Sequence, residues 1–320
     1  MAFRISLPQS GRTIEAGPGE TVLAAALREG IAYPHGCQRG RCGSCKSRLL
    51  RGAVEMLSHS PFALEPSERQ QDLILACRAV PASDVTVHWP DAAGALPPMP
   101  PIDAVVVGRH EIAPQIHRLV VRPTRPLSFL PGQYVNVTLP GGVTRSYSPA
   151  NQPMAQDVEF HIRVVQGGQA SSLIARLSLG DRIQVSGAFG DAYLRDDGAR
   201  PLLALAASTG QAPIKSIVDR ILRNGDRRLV RVFAFARELH HLYLGGYFAE
   251  LATRHTNLSY RSILTCAVQP AETSPRTMIA AHFLQPHDWS VHIAGPSGFV
   301  SSMAEMMRDL GCDDVLADKF

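Results

Sequence analysis

The first 90 residues show two kinds of hydrophobic pattern. Apolar and polar residues alternate in FRISL (3–7), RTIEA (12–16) and DVTVHW (84–89), with the period of two that predicts half-buried strands. Residues 21–29 instead carry leucine and alanine at helical spacing, with Thr21 as a potential N-cap. Further strands are expected at 46–50, 52–57 and 73–77, and a short helix at 66–72. The pattern predicts a small domain of short strands and helix.

A change of composition follows this region. Residues 90–101 read PDAAGALPPMPP and include five prolines. Proline at this density favours an extended, semi-rigid chain and marks a domain boundary. We therefore place the first domain at 1–92 and a linker at 93–101.

Short strand patterns resume at Ile102 and are separated by glycine and proline turns. They comprise AVVVGRHEI, HRLVVRP, GQYVNVTLP, EFHIRVV and DRIQVSG. Closely spaced short strands of this kind predict a small antiparallel β-barrel, which we place at 102–199. We expect Gly187–Gly190 to form a tight turn that closes the barrel.

The pattern changes again at Pro201, where PLLALAA gives the continuous apolar run of a strand buried on both faces. From here strand and helix patterns alternate. Strands are expected at 201–207, 228–237, 257–265 and 289–295, and helices at 214–225, 243–254, 275–285 and 296–311. Such alternation predicts an α/β domain with a doubly wound parallel sheet at 200–320.

Composition limits the function. The chain has 320 residues, of which 45% are hydrophobic and 19% charged, as expected for folded globular domains. Its net charge of +4 and the lack of a basic run argue against nucleic-acid binding. No apolar run approaches the about 20 residues that a membrane span requires, and the N-terminus lacks the apolar core of a signal peptide. We therefore expect a cytoplasmic protein that binds no membrane.

The strongest chemical signal is the loop PHGCQRGRCGSC at 34–45. Cys37, Cys42 and Cys45 have the spacing Cys-x4-Cys-x2-Cys, and Cys77 follows later, which is the pattern of plant-type [2Fe-2S] clusters. The interspersed glycines allow backbone amides to turn toward the sulfurs. A zinc site or a disulfide pair is the alternative, but the second ligand pair usual for zinc is missing and no secretion signal is present. With this loop, the first domain is predicted to be a ferredoxin-like β-grasp.

The two remaining cysteines, and two arginines inside the cysteine loop, also need an interpretation. Cys266 and Cys312 are expected to pack as buried apolar side chains. Arg39 and Arg41, inside the cysteine loop, either solvate the loop or attract an acidic electron-transfer partner.

Two short motifs in the predicted barrel suit a flavin. In Arg145–Ser148 (RSYS), the guanidinium can bind a phosphate, the tyrosine ring can pack on the flavin, and the Ser148 hydroxyl can reach its N5 atom. Gly167–Ser171 (GGQAS) opens a short helix, so its amides can face a pyrophosphate. Four residues alone also fit an ordinary polar strand end, and the glycine motif strengthens the flavin interpretation.

Two further motifs suit a nucleotide. Thr209–Gly210 and Gly295–Pro296 follow predicted strands, at the sheet edge where doubly wound folds bind nucleotides. Arg237 and Glu238 follow the second strand. A carboxylate there accepts a hydrogen bond from the 2′-hydroxyl of NADH, whereas an arginine favours the 2′-phosphate of NADPH. We favour NADH, with ordinary loop charges as the alternative.

The cysteine pattern, RSYS, GGQAS, STGQAP, AGPSG and the terminal DKF together resemble the ferredoxin–NADP reductase superfamily over essentially the whole chain. The domain order is similar to that of the NADH-dependent reductases of bacterial ring-hydroxylating dioxygenases and related monooxygenases, such as the naphthalene and benzoate dioxygenase reductases. The resemblance implies an oxidoreductase of aromatic hydrocarbon catabolism. It would pass electrons from NADH, through FAD rather than FMN and then the cluster, to a ferredoxin or oxygenase.

Two other functions remain open. The CDP-6-deoxyhexose reductase of deoxysugar synthesis, an electron donor to a dehydratase, is similar in length and motifs. A binding or scaffold protein with an inactive nicotinamide site is the other alternative.

The resemblance also implies roles for individual residues. The cluster would be held by Cys37, Cys42, Cys45 and Cys77. The flavin would be bound by Arg145, Ser146, Tyr147, Ser148, His161, Ile162, Arg163, Gly168, Gln169 and Ser171. The nicotinamide nucleotide would be bound by Thr209, Gly210, Pro213, Gly295 and Pro296, beside Arg237 and Glu238. Tyr147, Ser148 and Phe320 would lie nearest the hydride path, with Phe320 covering the flavin face until nicotinamide enters.

Five positions depart from the superfamily pattern. Ser208 follows Ala207 where a glycine pair is usual, Gln211 replaces a bulky aliphatic residue, and Ala294 replaces a cysteine near the hydride path. Because the resemblance places that thiol close to the hydride path, Ala294 predicts slower or differently aligned hydride transfer. Asp318 stands where glutamate is frequent, which is a mild change.

Overall fold

Short strands and two helices build the first of two units into which the chain divides, Met1–Pro98. The computed structural model describes residues 2–31, 33–36, 38–40, 43–61, 63–89, 99–195, 200–265, 277, 279 and 288–320. Strands in this unit are β1 (Phe3–Leu7), β2 (Arg12–Ala16), β3 (Lys46–Arg51), β4 (Val54–Met56), β5 (Leu73–Leu75), β6 (Ala79–Pro81) and β7 (Val85–His88), and helices are α1 (Val22–Arg28) and α2 (Pro66–Arg69). The strand order β2-β1-β7-β3-β5, with a β4-β6 pair beside it, confirms the predicted β-grasp.

Helix α1 covers this sheet for local reasons. The Thr21 side chain accepts a hydrogen bond from the Ala24 amide at 3.2 Å, as expected of an N-cap. Val22 and Leu23 are buried in one core with Ile5 of the inner strand β1. The apolar face of the helix therefore fixes the sheet that carries the cysteine loop.

An antiparallel barrel forms the first part of the second unit, Met99–Lys319. Its strands are β8 (Met99–Ala113), β9 (Ile116–Pro123), β10 (Tyr134–Thr138), β11 (Thr144–Tyr147), β12 (Val158–Arg163) and β13 (Arg182–Phe189), with the helix α3 (Gln169–Ile174). The order is β11-β10-β13-β8-β9-β12. A bridge between Pro149 and Phe160 joins the two ends of this order, which confirms the barrel.

Two details of the barrel differ from the prediction. Strand β8 begins at Met99, inside the segment predicted as linker, because prolines are tolerated where a strand begins. Gly187–Phe189 belong to β13 and pair with β10 across a register shift, so the predicted closing turn at Gly187–Gly190 is wrong. Glycine marks an irregularity within the strand here, rather than its end.

A parallel sheet completes the second unit. Its strands are β14 (Leu202–Ala207), β15 (Val230–Ala236), β16 (Leu258–Leu264), β17 (Ser290–Gly295) and β18 (Asp314–Lys319), and its helices are α4 (Gln211–Arg223), α5 (Gly245–Arg254) and α6 (Ser297–Asp309). Short 3-10 turns lie at Ser208–Gly210 and Leu239–His241 in this part of the chain, and at Pro8–Ser10 in the first unit. The order β16-β15-β14-β17-β18, with every pair parallel, confirms the predicted α/β class.

This domain departs from the sequence prediction at strand β18 and at the start of helix α4. Edge strand β18 was not predicted, because its apolar run, Val315–Ala317, is only three residues long. Helix α4 begins at Gln211, ahead of the predicted start, since a proline in the first helical turn removes no needed hydrogen bond. The helix expected at 275–285 lies almost wholly outside the described residues.

Polar contacts join the barrel to helix α4 within the second unit. Lys215 Nζ donates to the Ala150 carbonyl at 3.0 Å, and Ser216 Oγ donates to the Asn151 carbonyl at 2.8 Å. Gln152 Nε2 donates back to the Ser216 carbonyl at 2.9 Å. The loop after β11 is thereby fixed against the parallel sheet. Among the described helices, none is long and apolar enough to span a membrane.

Candidate functional site

Two of the four predicted cluster ligands lie side by side. Cys45 and Cys77 are 4% and 5% exposed, and the Cys77 amide donates to Cys45 Sγ at 3.5 Å. Cys45 immediately precedes β3, and Cys77 follows β5, which pairs with β3. Cys37 and Cys42 lie outside the described residues, as does Arg41. The two described sulfurs fit half of a four-thiolate iron–sulfur site.

The described part of the cysteine loop turns sharply. Gly40 has φ 67° and Gly43 has φ 80°, in the region that favours glycine. A Cβ atom on Gly40 would lie 2.8 Å from both Arg78 Cγ and His59 Cβ. Glycine is therefore required here for conformation and for space, in accord with a backbone that turns toward sulfur.

A buried hydrogen-bond chain ends at Cys45. The Ser47 hydroxyl donates to the Cys45 carbonyl at 3.1 Å and accepts from the Tyr33 hydroxyl at 2.6 Å. Burial raises the pKa of Tyr33, and the nearby Cys45 and Cys77 raise it further, although the Ser47 bond opposes them. Tyr33 thus remains a neutral donor under the site, where outer hydrogen bonds orient the ligands of a metal centre.

The barrel motif and the last strand meet at Ser148. Ser148 Oγ donates to Asp318 Oδ2 at 2.9 Å, and Asp318 pairs with Ala294 in the β17–β18 ladder. Burial and the charge of Asp191 raise the pKa of Asp318 to about 6, while the Ser148 bond lowers it. Position 318 is therefore a titratable partner for the hydroxyl predicted to face the flavin.

We expect this pair to set the pH dependence of flavin reduction. Below about pH 6 Asp318 is protonated and can donate to Ser148, whereas above it the carboxylate only accepts. The rate constant of anaerobic flavin reduction by NADH should then show an inflection near pH 6 in the wild type and none in Asp318→Asn. Asp191→Asn should move the inflection to lower pH, because the carboxylate that raises the pKa is lost. An unchanged inflection in Asp318→Asn would refute the assignment.

Two predicted nucleotide loops come together at the carboxyl ends of central strands. A Cβ atom on Gly210 would lie 2.0 Å from the Ala294 carbonyl oxygen. The Ser208–Gly210 turn after β14 therefore rests directly on the end of β17, next to Gly295 and Pro296. Pro213 lies in the first turn of α4, and Pro296 is the N-cap of α6. This is the edge at which parallel sheets bind nucleotides.

The other predicted flavin residues lie elsewhere on the barrel. Ser146 Oγ donates to Asn136 Oδ1 at 2.9 Å, and Arg145 Nη1 donates to the Thr144 carbonyl at 2.6 Å. Ile162 is 1% exposed in the barrel core, so only its backbone is available to a ligand. Their roles as flavin contacts remain predictions.

The glycine motif is held by a local contact. Ser171 Oγ accepts from the Val165 amide at 3.1 Å, and a Cβ atom on Gly168 would lie 2.6 Å from that oxygen. The loop thus keeps a fixed, side-chain-free approach before Gln169, where α3 begins. A backbone of this kind suits a pyrophosphate, and this role remains a prediction as well.

The His161 side chain joins the two parts of the second unit. Its Nε2 donates to Glu159 Oε1 at 2.8 Å, and its Nδ1 accepts from the Tyr243 hydroxyl at 3.0 Å. Burial alone raises the pKa of Glu159, but the bonds from His161 and Arg118 outweigh it and lower the pKa to about 2. No motif pointed to Tyr243 as a partner of His161, because residues 161 and 243 meet only through the fold. Glu159 lies two positions before His161 on the same face of β12.

Gln211 links the Ser208–Gly210 turn to the 3-10 turn Leu239–His241. Its Nε2 donates to the Ser208 carbonyl at 3.1 Å and to the His241 carbonyl at 2.9 Å. An aliphatic residue, as in the superfamily pattern, cannot make these bonds. Glu238, its side chain 64% exposed, begins the turn that Gln211 holds. Arg163 is exposed at the end of β12, and Phe320 is 48% exposed after β18.

Known protein families match the cysteine-bearing domain and the barrel separately. Residues 5–82 match the 2Fe-2S iron-sulfur cluster binding domain, and residues 103–193 match the oxidoreductase FAD-binding domain. The reductase component DmpP of phenol 2-monooxygenase from Pseudomonas sp. strain CF600 is 38% identical over 81% of this chain and 75% of its own. The reductase subunit of an aromatic O-demethylase from Amycolatopsis sp. is 33% identical over 94% of this chain and 93% of its own.

A solved structure agrees with these relatives. The Amycolatopsis cytochrome P450 reductase GcoB has a TM-score of 0.77 and 31% identity, covering 99% of this chain and 98% of its own. These relatives give no support to the deoxysugar alternative. The protein is an oxidoreductase that uses NAD(P)H, FAD and a [2Fe-2S] cluster. Its chain belongs to the reductase components of aromatic oxygenase systems.

Proposed function

We propose that this protein takes electrons from NADH and delivers them singly to the oxygenase component of a system that acts on phenolic or other aromatic compounds. The observation that carries the proposal is the Ser148–Asp318 contact, at 2.9 Å, beside the loops Ser208–Gly210 and Gly295–Pro296. A flavin-side hydroxyl and a nucleotide edge thus adjoin within one unit, while the other unit holds the thiol pair. The names of the similar reductases support aromatic oxygenases as the acceptor class.

Different residues are proposed to bind the flavin, the nicotinamide and the cluster. When bound, FAD accepts a hydride and the cluster accepts one electron at a time. Ser148 would orient the reacting edge of the flavin, with Asp318 holding its hydroxyl in place. Thr209, Gly210 and Gly295 would supply a backbone floor for the nicotinamide. Cys45 and Cys77, with Cys37 and Cys42, would hold the cluster.

Anaerobic stopped-flow reduction tests the proposal. NADH and NADPH are mixed in parallel with the holoprotein while the flavin and cluster absorbance bands are followed. We expect rapid flavin bleaching with NADH, then cluster bleaching, and reoxidation when a phenol-type oxygenase component is added. A flavin that stays oxidised with both nucleotides would refute it, and a reduced cluster that no oxygenase reoxidises would refute the acceptor.

We further propose that Glu238 selects NADH. Its carboxylate, exposed after β15, can accept from a ribose 2′-hydroxyl and repel a 2′-phosphate. Glu238→Gln should lower the ratio of kcat/KM for NADH over NADPH about tenfold, the effect of losing one charged hydrogen bond. Glu250→Gln, on an exposed face of α5, serves as the control. An unchanged ratio in Glu238→Gln would show that the ribose binds elsewhere.

Arg39 is proposed to attract the acceptor. Its side chain is exposed in the cysteine loop, two residues before Arg41. Arg39→Gln should reduce the rate constant of association with the oxygenase a few-fold at low salt, with less effect at high salt, since screening weakens steering. Arg69→Gln, on α2, should leave it unchanged. Equal effects at both salt concentrations would contradict electrostatic steering.

A further inference from the structure

Three metal-binding side chains meet on the 3-10 turn after β15. Glu238, His240 and His241 each place a ligand atom within 4.8 Å of the other two. His240 Nε2 lies 3.6 Å from Glu238 Oε2, and the two imidazole centroids are 4.2 Å apart. We propose that these side chains form a binding site for a divalent transition-metal ion such as Zn²⁺.

The donor set selects the metal class. Imidazole nitrogen and carboxylate oxygen bind Zn²⁺ at about 2.0–2.2 Å, so two donors on a tetrahedral ion lie about 3.4 Å apart. The 3.6 Å between His240 and Glu238 needs little adjustment. Mg²⁺ and Ca²⁺ prefer shells of oxygen, whereas imidazole suits Zn²⁺, Cu²⁺ and Ni²⁺. Three protein ligands leave a fourth position for water, and the exposure of Glu238 and His240 allows it.

Hydrogen bonds fix the backbone of the turn that carries the three ligands, and this favours metal binding. Gln211 Nε2 donates to the His241 carbonyl at 2.9 Å, and the His241 amide donates to the Glu238 carbonyl at 3.1 Å. The backbone between the ligands is therefore fixed before the ion arrives, and less ordering is required on binding. Arg163 opposes a cation, since it lies near enough to His241 to act on it electrostatically. The Glu238 carboxylate offsets that charge.

A functional consequence rests on the proposed function. Glu238 is the residue proposed to accept from the NADH ribose, and a bound ion would occupy its carboxylate. Zn²⁺ should therefore raise KM for NADH and leave kcat unchanged. The metal would act as a competitor at the adenosine end of the nucleotide, away from the Ser148–Asp318 contact.

Calorimetric titration of Zn²⁺ alone into the nucleotide-free holoprotein tests the site. We expect one Zn²⁺ per chain, with an affinity that falls more than about tenfold in His240→Gln and in His241→Gln, as for loss of a metal-site contact. Arg163→Gln should bind Zn²⁺ more tightly. His255→Gln, which changes a histidine at the end of α5, should bind like the wild type. No binding to the wild type, or wild-type affinity in both His240→Gln and His241→Gln, would overturn the proposal.

Kinetics then separate the metal site from the proposed function. If Zn²⁺ binds as expected while KM for NADH is unchanged, the metal site stands and the ribose lies away from Glu238. If the protein does not oxidise NADH at all, the titration still decides the metal site, because it needs no turnover.

Discussion

Cys45→Ser and Cys77→Ser are each expected to abolish electron transfer to one-electron acceptors while flavin reduction by NADH continues. Both thiols are buried and adjacent, and the Cys77 amide donates to Cys45 Sγ, so a serine at either position breaks a four-thiolate site. The cluster absorbance should disappear, and transfer to a one-electron acceptor should fall by more than about 90%, since the cluster carries that step. Ultraviolet–visible spectra, iron content and reductase assays with one- and two-electron acceptors measure this.

The control for these variants is Cys312→Ala. Cys312 is buried among apolar side chains of the parallel sheet, as predicted for a packing residue. This variant should keep its iron and its one-electron activity. Full iron content in Cys45→Ser would remove Cys45 from the ligand set, whereas a loss of iron in Cys312→Ala would show that unfolding, rather than ligand loss, explains the result.

Gly210→Ala is expected to slow NADH-dependent flavin reduction about a hundredfold while leaving the cluster loaded. The added Cβ would lie 2.0 Å from the Ala294 oxygen and 2.9 Å from the Gly295 nitrogen, and both are backbone atoms that cannot rotate away. The turn must therefore separate from β17 by an ångström or more. Such a displacement costs about a hundredfold in rate, and overpacking costs about 1–3 kcal/mol of stability. Stopped-flow reduction and thermal unfolding measure the two effects.

Gly246→Ala is the matched control. This glycine lies in α5, where an added Cβ meets no atom within 4 Å. Alanine there should preserve activity and slightly stabilise the helix. A wild-type rate in Gly210→Ala would mean that the turn does not position the nicotinamide.

Local motifs were predictable and long-range contacts were not. Cys37, Cys42 and Cys45 lie within one short loop, so their spacing is visible in the sequence. The β-grasp, barrel and parallel sheet were predictable from hydrophobic periodicity and turn residues. Ser148 and Asp318, however, are separated by 170 positions, and their contact requires that β18 lie beside β17. The apolar run of strand β18 is only three residues long, so nothing local indicated that Asp318 would reach the barrel.

The errors have the same origin. Glycine at 187 and 190 predicted a turn, but pairing with β10 keeps Gly187 inside a strand, because tertiary pairing overrides a local preference. Gln211 was identified from the sequence only as a departure from the usual bulky aliphatic residue. Its amide instead bonds two loops that are distant in sequence, a role that only the folded arrangement of α4 and the turn at 239–241 provides.

The bonds between α4 and the loop at 150–152 bear on how such reductases can be recombined. Lys215 and Ser216 reach the carbonyls of Ala150 and Asn151, and Gln152 reaches back to Ser216. A chimera joined near residue 200 would therefore combine the 150–152 loop of one protein with helix α4 of another, and these hydrogen bonds could be lost. One joined between Pro98 and Met99, where the two units divide, would leave every one of these bonds intact. Exchange of the cysteine-bearing unit between relatives is accordingly expected to keep the bonds that join the flavin and nucleotide parts of the second unit.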